Sequence, residues 1–434
     1  MIQQAFVRSA LSLSIACFFS SSVFAAGFQV NEHSANGLGR AMAGQAAMPE
    51  NASVLATNPA ALTAFDKAQF SGQVSYLNPE VDIRGEMTTS VGGNTITSDA
   101  SEEDIAKTAV IPSLFYTSGL NDNLAWGVGL FTSYGLATEY SDDYNALHYA
   151  DEAEIVSFTV NPALAYKVSD TLSLGVGVNI TYADAKISTS IPQVFGTVMG
   201  NSALGNLTIV EMSGDDVGYG WNIGVFWQPT DATNLALSYR AETQLTLEGD
   251  IKSDLGVLIP DVAELYNQGG SLDLNFAATT ELAVDQKINH KWSLQGSINY
   301  TDWSTFDKLE ANLDSGYDLL LKQEDFEDTW RVSAGVTYLY NDAFTLRAGY
   351  AYDEGAVSYA HRSLSIPDTD RHWVSAGATY SLTDNTNIDV AYVYIKGREA
   401  DVSQQRAIGS IQSDLTATEH AKAHIFSVQV NTAF

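Results

Sequence analysis

Histidine, cysteine and glycine-rich stretches are the first places to look for chemistry. The seven histidines stand at positions 33, 148, 290, 361, 372, 420 and 424. None lies in a GxSxG or HExxH setting, so no hydrolytic triad or zinc site can be assembled from sequence neighbours. His372 and His424 fall on strand-like segments and read as wall residues. The one cysteine, Cys17, sits in an apolar N-terminal stretch. Ser14-Ile15-Ala16 before it fit a lipid-attachment site poorly, so the chain beyond it has no thiol chemistry. Gly37-Leu38-Gly39-Arg40-Ala41-Met42-Ala43-Gly44 imitates a phosphate loop. It lacks the preceding strand and a third glycine at the right position, so its glycines serve tight turns and close backbone approach. The triplet Asn-Pro-Ala occurs at 58–60 and 161–163, which suggests a water channel. Such a channel needs helices of about 20 apolar residues per crossing. No segment after the first thirty or so residues qualifies, so the triplets need another explanation.

Charge narrows the partners. The chain has 52 acidic and 21 basic residues, a formal charge of -31, which excludes nucleic acid. The acids are compatible with loops that bind divalent cations, but no calcium-loop spacing stands out, and neither a metal nor a cofactor is expected. An enzyme is not expected either.

The elements that would hold any site are strands. Arg8, the apolar run Ala10 to Phe19 and the small residues up to Ala25 predict a signal peptide over 1–25. Beyond it, residues alternate with a period of two. Leu172, Leu174, Val176, Val178, Ile180 and Tyr182 lie on one face, against Ser173, Gly175, Gly177, Asn179 and Thr181. Strands are read near 68–77, 109–117, 124–134, 155–167, 172–188, 214–228, 234–249, 272–287, 291–303, 326–340, 344–354, 371–382, 386–396 and 419–434. Polar turns such as Asn121-Asp122-Asn123 and Asn341-Asp342 alternate with long connections. Aromatics cluster near strand ends, for example Trp126 and Tyr134, Tyr166 and Tyr182, Trp292 and Trp303, Trp373 and Tyr380, and Tyr392 and Tyr394. Long strands, alternating loop lengths and aromatic girdles define an all-β, membrane-spanning antiparallel barrel of about 14 strands over 67–434. The chain ends on an alternating strand at Phe434, the kind of signal that barrel-assembly machinery reads.

A barrel of this size leaves an open lumen unless something fills it. Residues 26–66 show little alternation and abundant Gly, Ala and Asn; they predict an N-terminal hatch of short helices. Asn58 is a good N-cap and Pro59 suits the first helical position, so the first triplet is a helix start. The second lies within a strand, with Pro162 marking a bulge or local break.

The stretches AGFQVNEHSANGLGRAMAG, SYGLATEY (Ser133 to Tyr140) and RSLSIPDTDRHWVSAGATY (Arg362 to Tyr380), with the first Asn-Pro-Ala, resemble the FadL-type long-chain fatty acid transporters and their aromatic-hydrocarbon relatives. The resemblance implies outer-membrane uptake without an external energy source. Cargo is caught outside and passed to a lumenal site. After the hatch rearranges, it leaves sideways at a kinked third strand. It places the kink and lateral opening at Ser133, Tyr134 and Gly135, with Gly224 beside the gap. It makes Asn58, Pro59 and Ala60 gate residues and brings Phe28 to the ligand. It assigns Lys322 to the cargo head group, with Lys186 near Thr189, where the family has a second cation. The bland alternative pairs these lysines with Asp184 or Glu324. An uncharged aromatic or alkane cargo is the rival reading. Outer-membrane lipid and lipopolysaccharide are the expected surroundings, and the acidic loops could serve as a phage receptor.

Overall fold

The computed structural model describes residues 27–91, 93–257, 266–408 and 411–434. The expected signal peptide, with Cys17 and the cleavage point after Ala25, lies outside the described residues, as does Ala26. The chain forms strands β1 (Gln69–Val91), β2 (Asn94–Asp99), β3 (Ala109–Asn121), β4 (Leu124–Phe131), β5 (Gly135–Glu139), β6 (Glu152–Ser169) and β7 (Leu172–Ser190). Next come β8 (Thr208–Thr230), β9 (Thr233–Arg240), β10 (Thr243–Lys252), β11 (Gln268–Phe276), β12 (Thr279–Lys287), β13 (Trp292–Thr301) and β14 (Lys308–Leu313). The last seven are β15 (Asp318–Gln323), β16 (Thr329–Asn341), β17 (Phe344–Asp353), β18 (Arg371–Thr383), β19 (Thr386–Gly397), β20 (Ala400–Ile408) and β21 (Ile411–Ala433).

These segments build the expected closed antiparallel barrel of 14 wall strands. Three wall strands are interrupted, giving the pairs β4/β5, β9/β10 and β11/β12, while β2, β14, β15 and β20 extend the outer loops. β1 pairs with both β3 and β21, which closes the ring. Closure matters because lipid cannot satisfy a free strand edge. The alternation is inside-out relative to a soluble sheet. On β7, Leu174, Val176 and Val178 face outward and are about half exposed, toward lipid, while Ser173, Asn179 and Thr181 are buried facing the lumen. The tight turns rely on asparagine: the Asn121, Asn289 and Asn341 side chains each accept two backbone N–H groups.

Three expectations need correction. β1 and β21 are each 23 residues long, and the loops expected at 78–108 and 397–418 are largely strand hairpins. At about 3.3 Å per residue such strands far exceed the roughly 30 Å hydrocarbon core. Beyond the membrane they turn their apolar residues inward, as with buried Val81, Ile83 and Met87, so the lipid-facing signal disappears. Second, Tyr134, Trp303 and Trp373 are buried inside the barrel instead of standing in a girdle. Third, of the bulge or local break expected at Pro162, only the local break is present. Val160 pairs with Ile180 and Ala163 with Gly177, so the ladder skips two residues and resumes in register.

The hatch fills the lumen with helix α1 (Ala35–Leu38) and 3-10 turns at Gln45–Ala47, Ala52–Ala56 and Pro59–Ala64. Ser34 caps α1, and the Asn51 and Asn58 side chains cap two of the turns. The glycine-rich stretch makes a tight turn, with Ala41, Met42 and Gly44 at positive φ. Gly39 passes close to Gly377 of β18, where a Cβ would lie 3.0 Å from the Gly377 Cα.

Candidate functional site

Among the described residues, one gap in the wall's pairing lies at the β4/β5 interruption. Between β4 and β5, residues 132–134 leave the strand ladder. The β3–β4 ladder starts at the Leu114–Leu130 pair, so Ala109–Ser113 of β3 faces the kink without pairing to β5. The hatch fills the vacancy as a substitute strand. Val30 N–H donates to the Ser133 carbonyl at 2.7 Å, and Gly135 N–H donates to the Phe28 carbonyl at 2.8 Å. Gln29 and Tyr134 form the antiparallel bridge between them. Ser133, Tyr134 and Gly135 therefore all lie at the interruption, and the hatch's first described residues cover it.

Phe28 anchors that cover. It is fully buried, with ring centroids 4.7 Å from Trp303, 5.2 Å from Phe306, 6.0 Å from Tyr134 and 6.0 Å from Phe276. Tyr134 stacks on Phe276 at 4.4 Å and donates its hydroxyl to the Ala277 carbonyl at 2.6 Å. Edge-to-face and offset contacts of this kind hold aromatic rings in place. Together they make an apolar partition across the lumen.

Cavities lie on both sides of the partition. An outer cavity is lined by Tyr149, Thr189, Leu321, Lys322, Ser365 and Arg406, among others. It shares Ile187 and Met212 with an apolar cavity whose walls include Leu136, Ile155, Leu247, Leu274, Phe306 and Lys186. Below the partition, a polar space is bounded by hatch residues Gln29 to Asn31 and His33, the kink residues Ser133 and Tyr134, and Arg240 and Arg331.

The two lysines do not share a cavity, and both are paired. Lys186 lines the apolar cavity and bridges to Glu152 at 2.7 Å and Glu211 at 3.3 Å, so its partners are not the expected Asp184. Lys322 lines the outer cavity and meets Glu324 at 2.7 Å, as the pairing alternative expects, and also donates to Ser363 and Ser365. Burial raises the Glu324 carboxyl above its ordinary range, against the pull of Lys322. Arg406, absent from the sequence-based candidates, faces the same cavity as Thr189 and Lys322. It donates to the His148 carbonyl. Nothing in its setting, a polar outer hairpin, marks it as lumenal in the sequence.

The Asn-Pro-Ala helix start sits elsewhere. The Asn58 side-chain N–H₂ donates to the carbonyls of Ala46 at 3.0 Å and Val225 at 3.1 Å, while its oxygen accepts from Ala60 N–H at 3.0 Å. Pro59 and Ala60 press on Gly175, where a Cβ would overlap the Ala60 backbone. A Cβ on Gly224 would overlap Asn58 Oδ1. Gly224 lies on β8, separated from β4 by β6 and β7. It therefore holds a seat for the hatch and does not flank the interruption, contrary to expectation.

The hatch's other firm attachment is ionic. Glu50 accepts from Arg40 at 2.6 Å and from the wall residue Arg347 at 2.9 Å. Burial alone would raise the Glu50 carboxyl, but Arg347 and Arg40 outweigh it and hold it well below the usual carboxylate range. Burial pushes His33 down to about 3, so it is a neutral imidazole at physiological pH. Among the described residues no cluster suited to a metal ion is present.

Comparison with known proteins agrees with the barrel fold. The family described as "Outer membrane protein transport protein (OMPP1/FadL/TodX)" matches residues 16–434. The chain is 33% identical over 456 residues to the long-chain fatty acid transport protein of Escherichia coli K12, covering 99% of each. It is 32% identical over 445 residues to outer membrane protein P1 of Haemophilus influenzae, covering 94% of this chain and 95% of that one. Among solved structures, a Pseudomonas aeruginosa FadL homologue superposes with a TM-score of 0.82 at 25% identity, covering 94% of this chain and 100% of that one. The Pseudomonas putida toluene transporter TodX shares the fold, with a TM-score of 0.64 at 19% identity over 96% of this chain and all of that one. The chain belongs to the OMPP1/FadL/TodX family of outer-membrane transport proteins.

Proposed function

We propose that this protein carries long-chain fatty acids across the outer membrane by diffusion, releasing them sideways through the β4/β5 interruption. The observation that carries the reading is the substitute strand: Phe28 to Val30 closes the wall with two backbone hydrogen bonds. A chain entering the apolar cavity meets the partition at Phe306 and Leu136. Displacing Phe28 withdraws the strand it belongs to and uncovers the gap. Cargo therefore opens its own exit, with no energy source other than its concentration gradient and burial of its tail.

Lys322 and Arg406 face the outer cavity and suit a carboxylate head group, because a charge-assisted hydrogen bond offsets the desolvation of both partners. The relatives named as fatty acid transport proteins favour the same cargo. An uncharged hydrocarbon is the second reading. It is favoured by the apolar cavity, where the one nearby cation, Lys186, is already held by Glu152 and Glu211. Mass spectrometry of small molecules released from the purified protein separates the two. Co-purified C16–C18 acids are expected; only neutral hydrocarbons would overturn the fatty-acid assignment.

A further inference from the structure

The polar cavity beneath the partition contains cations without carboxylate partners. Arg240, at the end of β9, donates to Asn179 Oδ1 at 2.5 Å and to the Ala56 carbonyl at 2.6 Å. Both acceptors are neutral, and the guanidinium lies over the Phe131 ring at 5.2 Å. A guanidinium has five donors, so these two bonds leave donors for the cavity. Arg331 enters the same cavity from β16, 8% exposed, with Nε unpartnered. Among the described residues neither arginine forms an ion pair. Two more buried donors on this lining lack partners, Asn31 Nδ2 and Asn222 Nδ2, as does His33 Nε2, which donates in one of the neutral ring's two tautomers. The lining's one carboxylate, Glu281, accepts from Ser297 at 2.7 Å. Glu281 and the buried Glu32 lie within electrostatic reach of Arg331 and offset part of its charge, whereas burial of Arg240 is opposed by no carboxylate. Burying such a cation is costly, and an anionic guest relieves that cost chiefly at Arg240.

We propose that this cavity is a second carboxylate station, where the head group of a fatty acid is held by Arg240 and Arg331 after it passes Phe28 and before it leaves past Ser133. This rests on the fatty-acid reading above. The station explains how a charged head crosses a barrel whose middle cavity is apolar. The tail occupies that cavity while the carboxylate moves from Lys322 and Arg406 to Arg240. Phe131 and Ser133, the residues at the edge of the wall interruption, line the same space, so the head group arrives beside the exit.

The test compares uptake of labelled oleate and labelled oleyl alcohol by transporter-null cells producing wild type, Arg240→Met, Arg240→Lys or Arg331→Gln. Oleate uptake is expected to fall at least tenfold in Arg240→Met, while the alcohol stays within twofold of wild type. Arg240→Lys recovers most of the oleate rate, and Arg331→Gln shows a smaller, equally oleate-selective loss. If Arg240→Met fails to reach the membrane, the Lys and Arg331→Gln variants decide. Unchanged oleate uptake overturns the station. Equal loss of both cargoes also overturns it, since Arg240 would then only anchor the hatch at Ala56. Wild type that moves the alcohol but not oleate instead overturns the fatty-acid reading.

Discussion

The hatch is fastened at two regions of very different strength. At the wall interruption, Phe28 to Val30 is held by two backbone hydrogen bonds and by aromatic contacts that any apolar chain can replace. On the far side, Glu50 joins Arg40 to Arg347, Gln429 accepts the Ala35 N–H at 2.8 Å, and Asn58 fits against Gly224. A cargo that competes for Phe28's aromatic pocket has nothing to offer in exchange for the ionic and steric contacts. In the proposed mechanism the contrast sets where motion would begin: at the light end, with the bolted end as a pivot.

The contrast can be broken from its strong side first. Gly224→Glu places a side chain where Asn58 sits, so the bolted end cannot seat. Oleate uptake is expected to drop more than tenfold, with a rise in ion conductance across planar bilayers as the hatch is displaced; normal conductance would show that the seat tolerates the change. Glu50→Gln removes the centre of the bolt and leaves Arg40 and Arg347 facing each other. Hydrogen exchange of backbone amides over 35–56 is expected to speed up about tenfold, equivalent to about 1.4 kcal/mol, with the barrel's own protection unchanged. Lys322→Ala acts on neither attachment. It should weaken oleate binding roughly tenfold, the order of one charge-assisted hydrogen bond, and leave oleyl alcohol binding alone, as titration of the purified protein would show.

The smallest effect is on pH. The Glu50 carboxyl is depressed in the folded protein, so its stabilisation is fully present above the ordinary carboxylate value and is lost as pH falls below it. Loss of this attachment should therefore raise conductance only in acid below the ordinary carboxylate range. A step between about pH 6 and 7 would point instead to the carboxyls that burial raises at the hatch, Glu32 to about 7 and Asp368 to about 6, since buried His33 stays neutral down to about pH 3.

Much of this architecture is legible in the residues. Period-two alternation and asparagine turns locate all fourteen wall strands, because lipid outside and water inside impose the pattern on each one. Asn58-Pro59 announces its helix start through local capping chemistry alone. The misses share a cause. Trp303 and Tyr134 look like girdle residues because an inward and an outward aromatic differ by one position of register, and the strand breaks beside them hide that register. Arg240 follows the lipid-facing Leu237 and the aromatic Tyr239 and stands directly before a break at Ala241. Its value lies in what it lacks, a carboxylate partner, and no local pattern reports that. The pairing of Lys186 with Glu152 and Glu211 joins three neighbouring strands, β6, β7 and β8, which spacing along the chain cannot reveal.

The central claim is that the hatch's light end must leave the wall for cargo to pass. Val30 and Ser133 lie opposite each other across the substitute-strand pairing, at the roughly 5.5 Å Cα separation that a disulfide accepts. A Val30→Cys/Ser133→Cys protein can therefore be stapled by oxidation and released by reduction. Oleate uptake should be lost in the oxidised state and return on reduction, while each single variant behaves like wild type. Equal uptake in the oxidised and reduced states, with the disulfide confirmed by mass spectrometry, would contradict the account.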